Sequence, residues 1–280
     1  MSADTFDLVQ LKDGSHTLRD RLTGETFHPV VGPMIEARAI HIAPLQLARR
    51  LKENPRLTLW DVGLGAAANA IALLENLRLV EDDFEIVLAS FDQTLAPARF
   101  ALEHAEALDY PMAWRKELGE LLATGATAIR FDTGKIVEWI FVEGDFTRFP
   151  PAPVPDAVIY DPYSPAKNAA MWSLDHFTGL RQRLPRPALL TSYSRSTAVR
   201  VTLLLAGFFV GTGNATGEKE ETTLAATDLV LLDRPLSPEW LQRVRRSTKS
   251  APLGNHPGGP IPENDWQRLL AHPQFFGLES

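Results

Sequence analysis

Four aspartates stand at or next to the ends of apolar stretches that have the length of buried strands: Asp61, Asp92, Asp145 and Asp161. In an open α/β sheet, ligands bind beyond the carboxyl ends of the strands. Aspartate is also a common helix cap and turn residue, so one such acid would be ordinary. Four in succession favour a shared binding site over capping alone.

A glycine turn follows the first of these acids. The apolar run 57–62 predicts a strand, and an Ala- and Leu-rich helix is predicted over 66–78. Gly63 and Gly65 lie between them, where the lack of a Cβ lets a ligand approach the backbone. The helix start behind them presents free N–H groups. Asn69, in the first turn, is either a polar partner of a ligand or a plain helix residue.

Two ligand classes and a purely structural turn remain open for this motif. The spacing Gly63-x-Gly65-x-x-Ala68 fits a dinucleotide fingerprint, which expects a ribose-binding acid about 20 positions later. Asp92 lies further along than that, at the end of the next predicted strand. Asp61 would repel a pyrophosphate and would favour a ligand with a cationic amino-acid part.

The pattern acid-x-Gly-x-Gly resembles the first motif of methyltransferases that use S-adenosylmethionine (SAM). The resemblance implies that Asp61 and the backbone of Gly63 and Gly65 face the methionine part of SAM. Asp92 would then accept hydrogen bonds from the ribose hydroxyls. Asp145, after Gly144, would accept one from the adenine amino group.

A second motif, Asp161-Pro162-Tyr163, follows the apolar run 157–160. It resembles the Asp/Asn-Pro-Pro-aromatic motif of amino-group methyltransferases. A carboxylate and a proline-fixed carbonyl can both accept hydrogen bonds from an amine, and the aromatic ring can pack on the substrate. Such positioning would supply most of the catalysis. A proline-stiffened loop without chemistry is the alternative.

The longer run from Asp161 to Trp172, Asp-Pro-Tyr-Ser-Pro-Ala-Lys-Asn-x-x-Met-Trp, resembles a loop of one family. This is the methyltransferase domain, in its stand-alone form, of the bacterial enzymes that form tRNA 5-methylaminomethyl-2-thiouridine. The resemblance extends over about residues 20–230 and includes 32–51, 192–200, 206–208 and 217–220.

That resemblance implies SAM-dependent methylation of an aminomethyl group on the wobble uridine (position 34) of tRNA. Asp161, Pro162, Tyr163 and Lys167 would line the acceptor site. Lys167 would contact a phosphate or pair with Asp161, or it is a solvated loop lysine. Bifunctional members of the family continue into a flavin-dependent domain. Few residues follow the predicted sheet here, so we expect no FAD and no deglycylation step.

The composition narrows the function classes. The chain has 280 residues, no cysteine and a net charge of −7. Its seven histidines lack the spacing of metal ligands, such as His-x-x-x-His, so we predict no metal site. The sequence also lacks the Gly-x-Ser-x-Gly motif of serine hydrolases, so we do not predict a hydrolase. No signal peptide and no apolar run of about 18 residues is evident, so we predict a cytoplasmic protein with no membrane partner.

The net negative charge counts against extensive contact with nucleic acid, because proteins that bind it usually have a basic surface. Local basic clusters could still bind a tRNA anticodon arm, with single-stranded bases stacking on Trp172. Solvated helix faces are the alternative interpretation of these clusters. The basic residues are Arg181, Arg183, Arg186, Arg195, Arg200, Arg243, Arg245, Arg246 and Lys249.

Alternating strands and helices predict an α/β, Rossmann-like fold. We expect a mostly parallel seven-stranded sheet with helices on both faces and one antiparallel edge strand. The predicted parts are an N-terminal extension of short strands (1–35), a SAM-dependent methyltransferase domain (36–233) and a Pro-rich tail packed on it (234–280). Methylation of a small-molecule amine and SAM binding without turnover are the alternative functions.

Overall fold

A computed structural model describes residues 5–28, 31–132, 134–216, 220–254 and 258–275. The backbone forms two compact units. The first comprises Met1–Asp161 with Asn214–Glu220, and the second comprises Pro162–Gly213 with Glu221–Ser280. The predicted division into extension, domain and tail stays a prediction. In the resembling stretch 217–220, residues 217–219 lie outside the described part.

The first unit contains a two-stranded antiparallel sheet and a larger, mostly parallel one. In the larger sheet the strand order is β5-β6-β4-β3-β7, with only β5 antiparallel to its neighbour. β3 and β4 are apolar along most of their length, as expected for parallel strands covered on both faces. The strands are β1 (Phe6–Gln10), β2 (His16–Asp20), β3 (Arg56–Val62), β4 (Phe84–Asp92), β5 (Ala126–Asp132), β6 (Lys135–Glu143) and β7 (Ala157–Tyr160).

The helices of the first unit connect these strands. They are α1 (Pro33–Ala37), α2 (Leu47–Glu53), α3 (Ala68–Leu77), α4 (Ala96–Glu103) and α5 (Arg115–Thr124). The apolar pattern of residues 34–52 predicts a helix that is interrupted or kinked at Pro44, and the structure has an interrupted one. Between α1 and α2 lie a π-helical turn, Arg38–Ile42, and a 3-10 turn, Ala43–Leu45. Pro44 has no N–H to continue an α-helix, and Gln46 adopts φ 48° where the direction changes.

The second unit contains β8 (Leu189–Ser192), β9 (Phe209–Gly213) and β10 (Thr222–Ala226). β10 lies between β8 and β9 and is antiparallel to both. Its helices are α6 (Leu174–Gln182), α7 (Thr197–Leu205), α8 (Trp240–Arg246) and α9 (Glu263–Leu270).

The α/β class was predicted correctly, and the strand details differ. Among the described residues, the larger sheet of the first unit has five strands and the second unit has three, against seven predicted in all. The antiparallel β10 is internal to its group because β9 pairs on its other side, and β5 is a further antiparallel strand. Among the described residues, no helix is long and apolar enough to cross a membrane.

Candidate functional site

Neighbouring strands of the first unit end at the same level. The N–H of Gly63 donates to the carbonyl of Phe91 at 3.0 Å, and the N–H of Asp161 donates to that of Val62 at 2.9 Å. The ends of β4, β3 and β7 are therefore joined side by side. This places the acids that follow or end these strands at one edge of the sheet, as the sequence predicted.

The glycine turn between β3 and α3 needs its glycines. Gly63 and Gly65 have φ values of 90° and 50°, and the helix cap Ala67 has φ 65°. A Cβ on Gly65 would lie 2.9 Å from Cε1 of Phe27. The turn is therefore both left-handed in backbone and closely covered by a ring from the N-terminal segment.

Asp92 is bonded to that turn. Its Oδ2 accepts the N–H of Gly65 at 2.9 Å, and its Oδ1 accepts the N–H of Gln93 at 2.7 Å. Burial raises the pKa of this carboxyl, although the backbone N–H groups of Gly65, Gln93 and Thr94 oppose the rise. Its carbonyl accepts the N–H of Gly144 at 2.9 Å, so the predicted ribose-binding and adenine-binding segments are adjacent.

Asp61 is buried at the end of β3. Its Oδ2 accepts the hydroxyl of Ser90 at 2.8 Å, and Ser90 in turn accepts the indole N–H of Trp139 at 2.9 Å. Burial raises the pKa of Asp61 to about 7. The Ser90 hydrogen bond opposes this rise, while the negative charges of Asp161 and Asp92 add to it. Asp161 and Asp92 therefore both act electrostatically on Asp61.

Asp161 has the opposite electrostatic environment. Its Oδ2 accepts the amide of Asn69 at 2.7 Å, and its Oδ1 lies 3.8 Å from Nε2 of the buried His41. Burial alone would raise the pKa of Asp161, but His41, the charge of His28 and the Asn69 amide together hold it below its usual value. An ionised carboxylate thus lies at the end of β7.

Two buried oxygens near these acids are free to accept a hydrogen bond. Oδ1 of Asp61 and Oδ1 of Asn69 have no hydrogen-bond partner among the described residues. Unpaired buried acceptors are costly and rare, and a ligand that donates hydrogen bonds would relieve them. These two oxygens are compatible with an amino-acid ligand.

Asp145 is a cap in the structure. Its Oδ1 accepts both the N–H and the hydroxyl of Thr147, at 3.0 and 2.7 Å, and so begins a short 3-10 turn. The following Phe146 is buried against Phe91. Asp145 thus has the structural role that the sequence left open, and its role toward adenine stays a prediction.

The second unit begins with the rest of the acceptor motif. The carbonyl of Pro162 accepts the hydroxyl of Tyr193 at 3.0 Å, and that of Tyr163 accepts the indole N–H of Trp172 at 2.8 Å. The rings of Trp172 and Tyr193 are 5.6 Å apart, edge to face. This loop is therefore held by its backbone, and Lys167 is exposed on it.

Two predictions for nucleic-acid contact were wrong. Trp172 is fully buried, so it is not a stacking platform for bases. Arg200 is also buried, and its guanidinium donates to Thr223, Glu221 and the carbonyl of Thr222. It is a structural residue rather than part of a basic surface.

Sequence reasoning missed four residues of the site in the first unit: Phe27, His41, Ser90 and Trp139. Ser90 is the only one with a readable signal, because it lies two residues before Asp92 in an otherwise apolar strand. His41 lies on a π-helical turn that no periodicity predicted. No cluster of His, Asp and Glu in the described residues has the arrangement of a metal site.

Comparison with known proteins gives the family context. A family model of S-adenosyl-L-methionine-dependent methyltransferases matches residues 111–228. This region includes Gly144, Asp145 and the segment 161–167, and it excludes the glycine turn.

Two curated relatives are tRNA 5-methylaminomethyl-2-thiouridine biosynthesis bifunctional proteins MnmC. The protein from Burkholderia multivorans is 26% identical over 69% of this chain, and that from Burkholderia vietnamiensis is 28% identical over 66%. The alignments cover 30% of each relative, so the chain corresponds to under a third of their length.

A solved structure, MNMC2 from Aquifex aeolicus, shares the fold. It has a TM-score of 0.70 and 24% identity, and the match covers 95% of this chain and 84% of that one. This match confirms the predicted Rossmann-like methyltransferase fold. The chain is therefore similar to S-adenosyl-L-methionine-dependent methyltransferases over 111–228, to the two MnmC relatives over about two thirds of its length, and to MNMC2 in fold.

Proposed function

We propose that this methyltransferase acts on an amino group that is held by Asp161. The observation that carries the proposal is the environment of this carboxylate, which His41 and Asn69 keep ionised although desolvation opposes the charge. A carboxylate can accept an N–H hydrogen bond from a neutral amine. It also stabilises the positive charge that the nitrogen gains when it is methylated. A protonated acid could still accept a hydrogen bond, but it would lack the negative charge that the second role needs.

We assign the donor side of the site to the first unit. Bound SAM supplies an electrophilic methyl group on a sulfonium. Asp61 and Asn69 offer free acceptor oxygens to its amino-acid part, and Gly63 and Gly65 let the backbone approach it. Asp92 would accept the ribose hydroxyls.

The further residues assigned by the family resemblance complete the proposed site. Gly144 and Asp145 would flank the adenine. Pro162, Tyr163 and Lys167, which follow Asp161 in the sequence, would contact the acceptor.

We propose that the acceptor is the aminomethyl group of the modified wobble uridine in tRNA. The names of the MnmC relatives support this substrate. The anticodon arm would be the bound part, and the reaction would take place in the cytoplasm.

A small-molecule amine is the second candidate. The net charge of −7 favours it, since proteins that bind a long polyanion are usually basic. The burial of Trp172 and Arg200 also removes two groups that would have bound RNA. Binding of tRNA that weakens steeply as salt is added supports the RNA substrate. An absence of binding at low salt contradicts it.

The test is single-turnover methyl transfer from labelled SAM to tRNA that carries the unmethylated aminomethyl group. Asp161→Asn keeps the shape but removes the charge. We expect it to slow transfer by about 100-fold or more while leaving SAM affinity within a few-fold. Transfer at the parent rate by this variant would remove Asp161 from the acceptor site. Mass spectrometry of the nucleosides identifies the methylated position.

A further inference from the structure

The hydrogen-bond chain behind Asp61 has a direction that is fixed by chemistry. An indole N–H can only donate, so Oγ of Ser90 must accept from Trp139 at 2.9 Å. The single hydroxyl proton of Ser90 is then left for Oδ2 of Asp61, at 2.8 Å. All three side chains are buried, so water does not compete for these bonds.

Strand register explains why the three side chains meet. Asp61 of β3 is the register partner of Ser90 on the parallel strand β4. Ser90 pairs in turn with Phe141 of β6, and Trp139 lies two residues earlier on that strand, on the same face. The chain therefore crosses three neighbouring strands, and its geometry is set by the sheet.

The consequence falls on the second oxygen of Asp61. With Oδ2 occupied by Ser90, Oδ1 is the buried acceptor without a partner among the described residues. We propose that Trp139 and Ser90 are positioning residues that orient Asp61 so that Oδ1 receives the ammonium group of the methionine part of SAM. This inference rests on the proposed assignment of the methionine part to Asp61.

The hydrogen-bond chain from Trp139 through Ser90 to Asp61, called the relay below, should affect some ligands and not others. A ligand that lacks the amino-acid part has nothing to donate to Oδ1, so its affinity should not depend on how Asp61 is oriented. A ligand that has the ammonium group loses affinity when Ser90 can rotate and Asp61 is no longer held. The relay thus acts on one end of the ligand only.

The experiment compares two ligands by calorimetry: S-adenosylhomocysteine, which has the amino-acid part, and 5′-methylthioadenosine, which lacks it. Trp139→Phe removes the indole N–H and keeps an aromatic ring. We expect this variant to weaken the binding of S-adenosylhomocysteine about tenfold, and to leave the affinity for 5′-methylthioadenosine within about twofold of the parent value. Ser90→Ala should give the same pattern and serves if the tryptophan variant does not fold.

Trp60→Phe is the matched control. Trp60 is another buried indole of this sheet, and its N–H donates to the carbonyl of Pro153 at 2.8 Å instead. It should not change the ratio of the two affinities. If Trp139→Phe and Ser90→Ala lower the affinity for both ligands equally, or lower neither affinity, the positioning role is overturned.

Asp61→Asn separates this inference from the assignment on which it rests. If that variant leaves the ratio of the two affinities unchanged, the ammonium does not bind Asp61 and the assignment itself fails. If Asp61→Asn changes the ratio and neither Trp139→Phe nor Ser90→Ala does, only the relay fails.

Discussion

At the scale of single residues, Asp92 has two tasks that one substitution would remove together. Its carboxylate holds the glycine turn through the N–H of Gly65, and both its oxygens retain lone pairs for a ribose. Asp92→Ala should therefore weaken S-adenosylhomocysteine binding by roughly 10- to 100-fold, since hydrogen bonds to charged groups contribute about 1.5–3 kcal/mol each. Calorimetry measures this change.

Asp156→Ala is the control for that variant. Asp156 also accepts a strand N–H, that of Thr58 at 2.8 Å, but it precedes β7 and so lies at the opposite edge of the sheet. We expect it to lower stability without changing ligand affinity. Unchanged affinity in Asp92→Ala would refute the proposed contact with ribose.

His41 is predicted to act through Asp161. Phenylalanine at position 41 keeps an aromatic ring but removes the imidazole that lowers the pKa of Asp161. Burial then dominates and the carboxyl protonates at a higher pH than in the parent. In the pH profile of methyl transfer, the acid limb should move to higher pH, and activity at pH 6 should fall relative to that at pH 9.

If His41 had a structural role alone, its substitution would not shift the acid limb of the pH profile. S-adenosylhomocysteine affinity should stay within about twofold in His41→Phe. His104→Phe is the matched control, because that imidazole stacks on Phe100 near the end of α4 and lies outside the acid cluster. An acid limb at the same pH in His41→Phe and the parent would argue against the coupling.

At the scale of elements, β9 has one edge that does not pair with β10, and the segment that follows β10 covers this edge. The amide of Gln274 donates to the carbonyls of Val210 and Leu236 at 2.7 and 2.9 Å and accepts the N–H of Val210 at 2.7 Å. The N–H of Thr212 donates to the carbonyl of Arg234 at 2.9 Å. A strand edge left open is a template for association, so this covering makes the tail a structural part of the second unit.

Gln274→Leu should therefore destabilise the protein by about 2–4 kcal/mol, because it leaves buried backbone groups unpaired. Urea titration measures this loss, and faster hydrogen exchange at the amide of Val210 locates it. Gln267→Leu is the control, since Gln267 is exposed on α9 and its side-chain amide donates to Glu263 at 2.8 Å. Equal stability of the two variants would show that the edge does not depend on Gln274.

The elements also show what the sequence could predict. β3, β4 and β7 are apolar and end in acids, so their positions and the edge they share followed from pattern alone. The turn at Arg38–Ile42 did not, because its π-helical hydrogen bonds have no apolar period. For the same reason His41 was missed, and Trp139 was missed because its role depends on register between β6 and β4.

At the scale of the whole molecule, the excess of acidic residues includes a buried one that lowers the stability of the fold when it is ionised. The sequence has 35 acidic and 28 basic residues. Asp61 is buried, and no cation among the described residues lowers its pKa. Its pKa of about 7 lies above the ordinary value of 3.8. Between these values the folded state binds a proton that the unfolded state has lost, so stability falls as pH rises through this range.

Asp61→Asn should remove that loss. Asparagine resembles the protonated acid and can still accept the Ser90 hydroxyl, so parent and variant should have similar stability near pH 4. Above pH 7 the variant should be more stable by up to about 4 kcal/mol, at 1.36 kcal/mol per unit of pKa difference. Urea titrations of both proteins from pH 4 to 8 measure the difference. A stability difference that stays constant over this range would mean that Asp61 ionises as readily in the fold as in water.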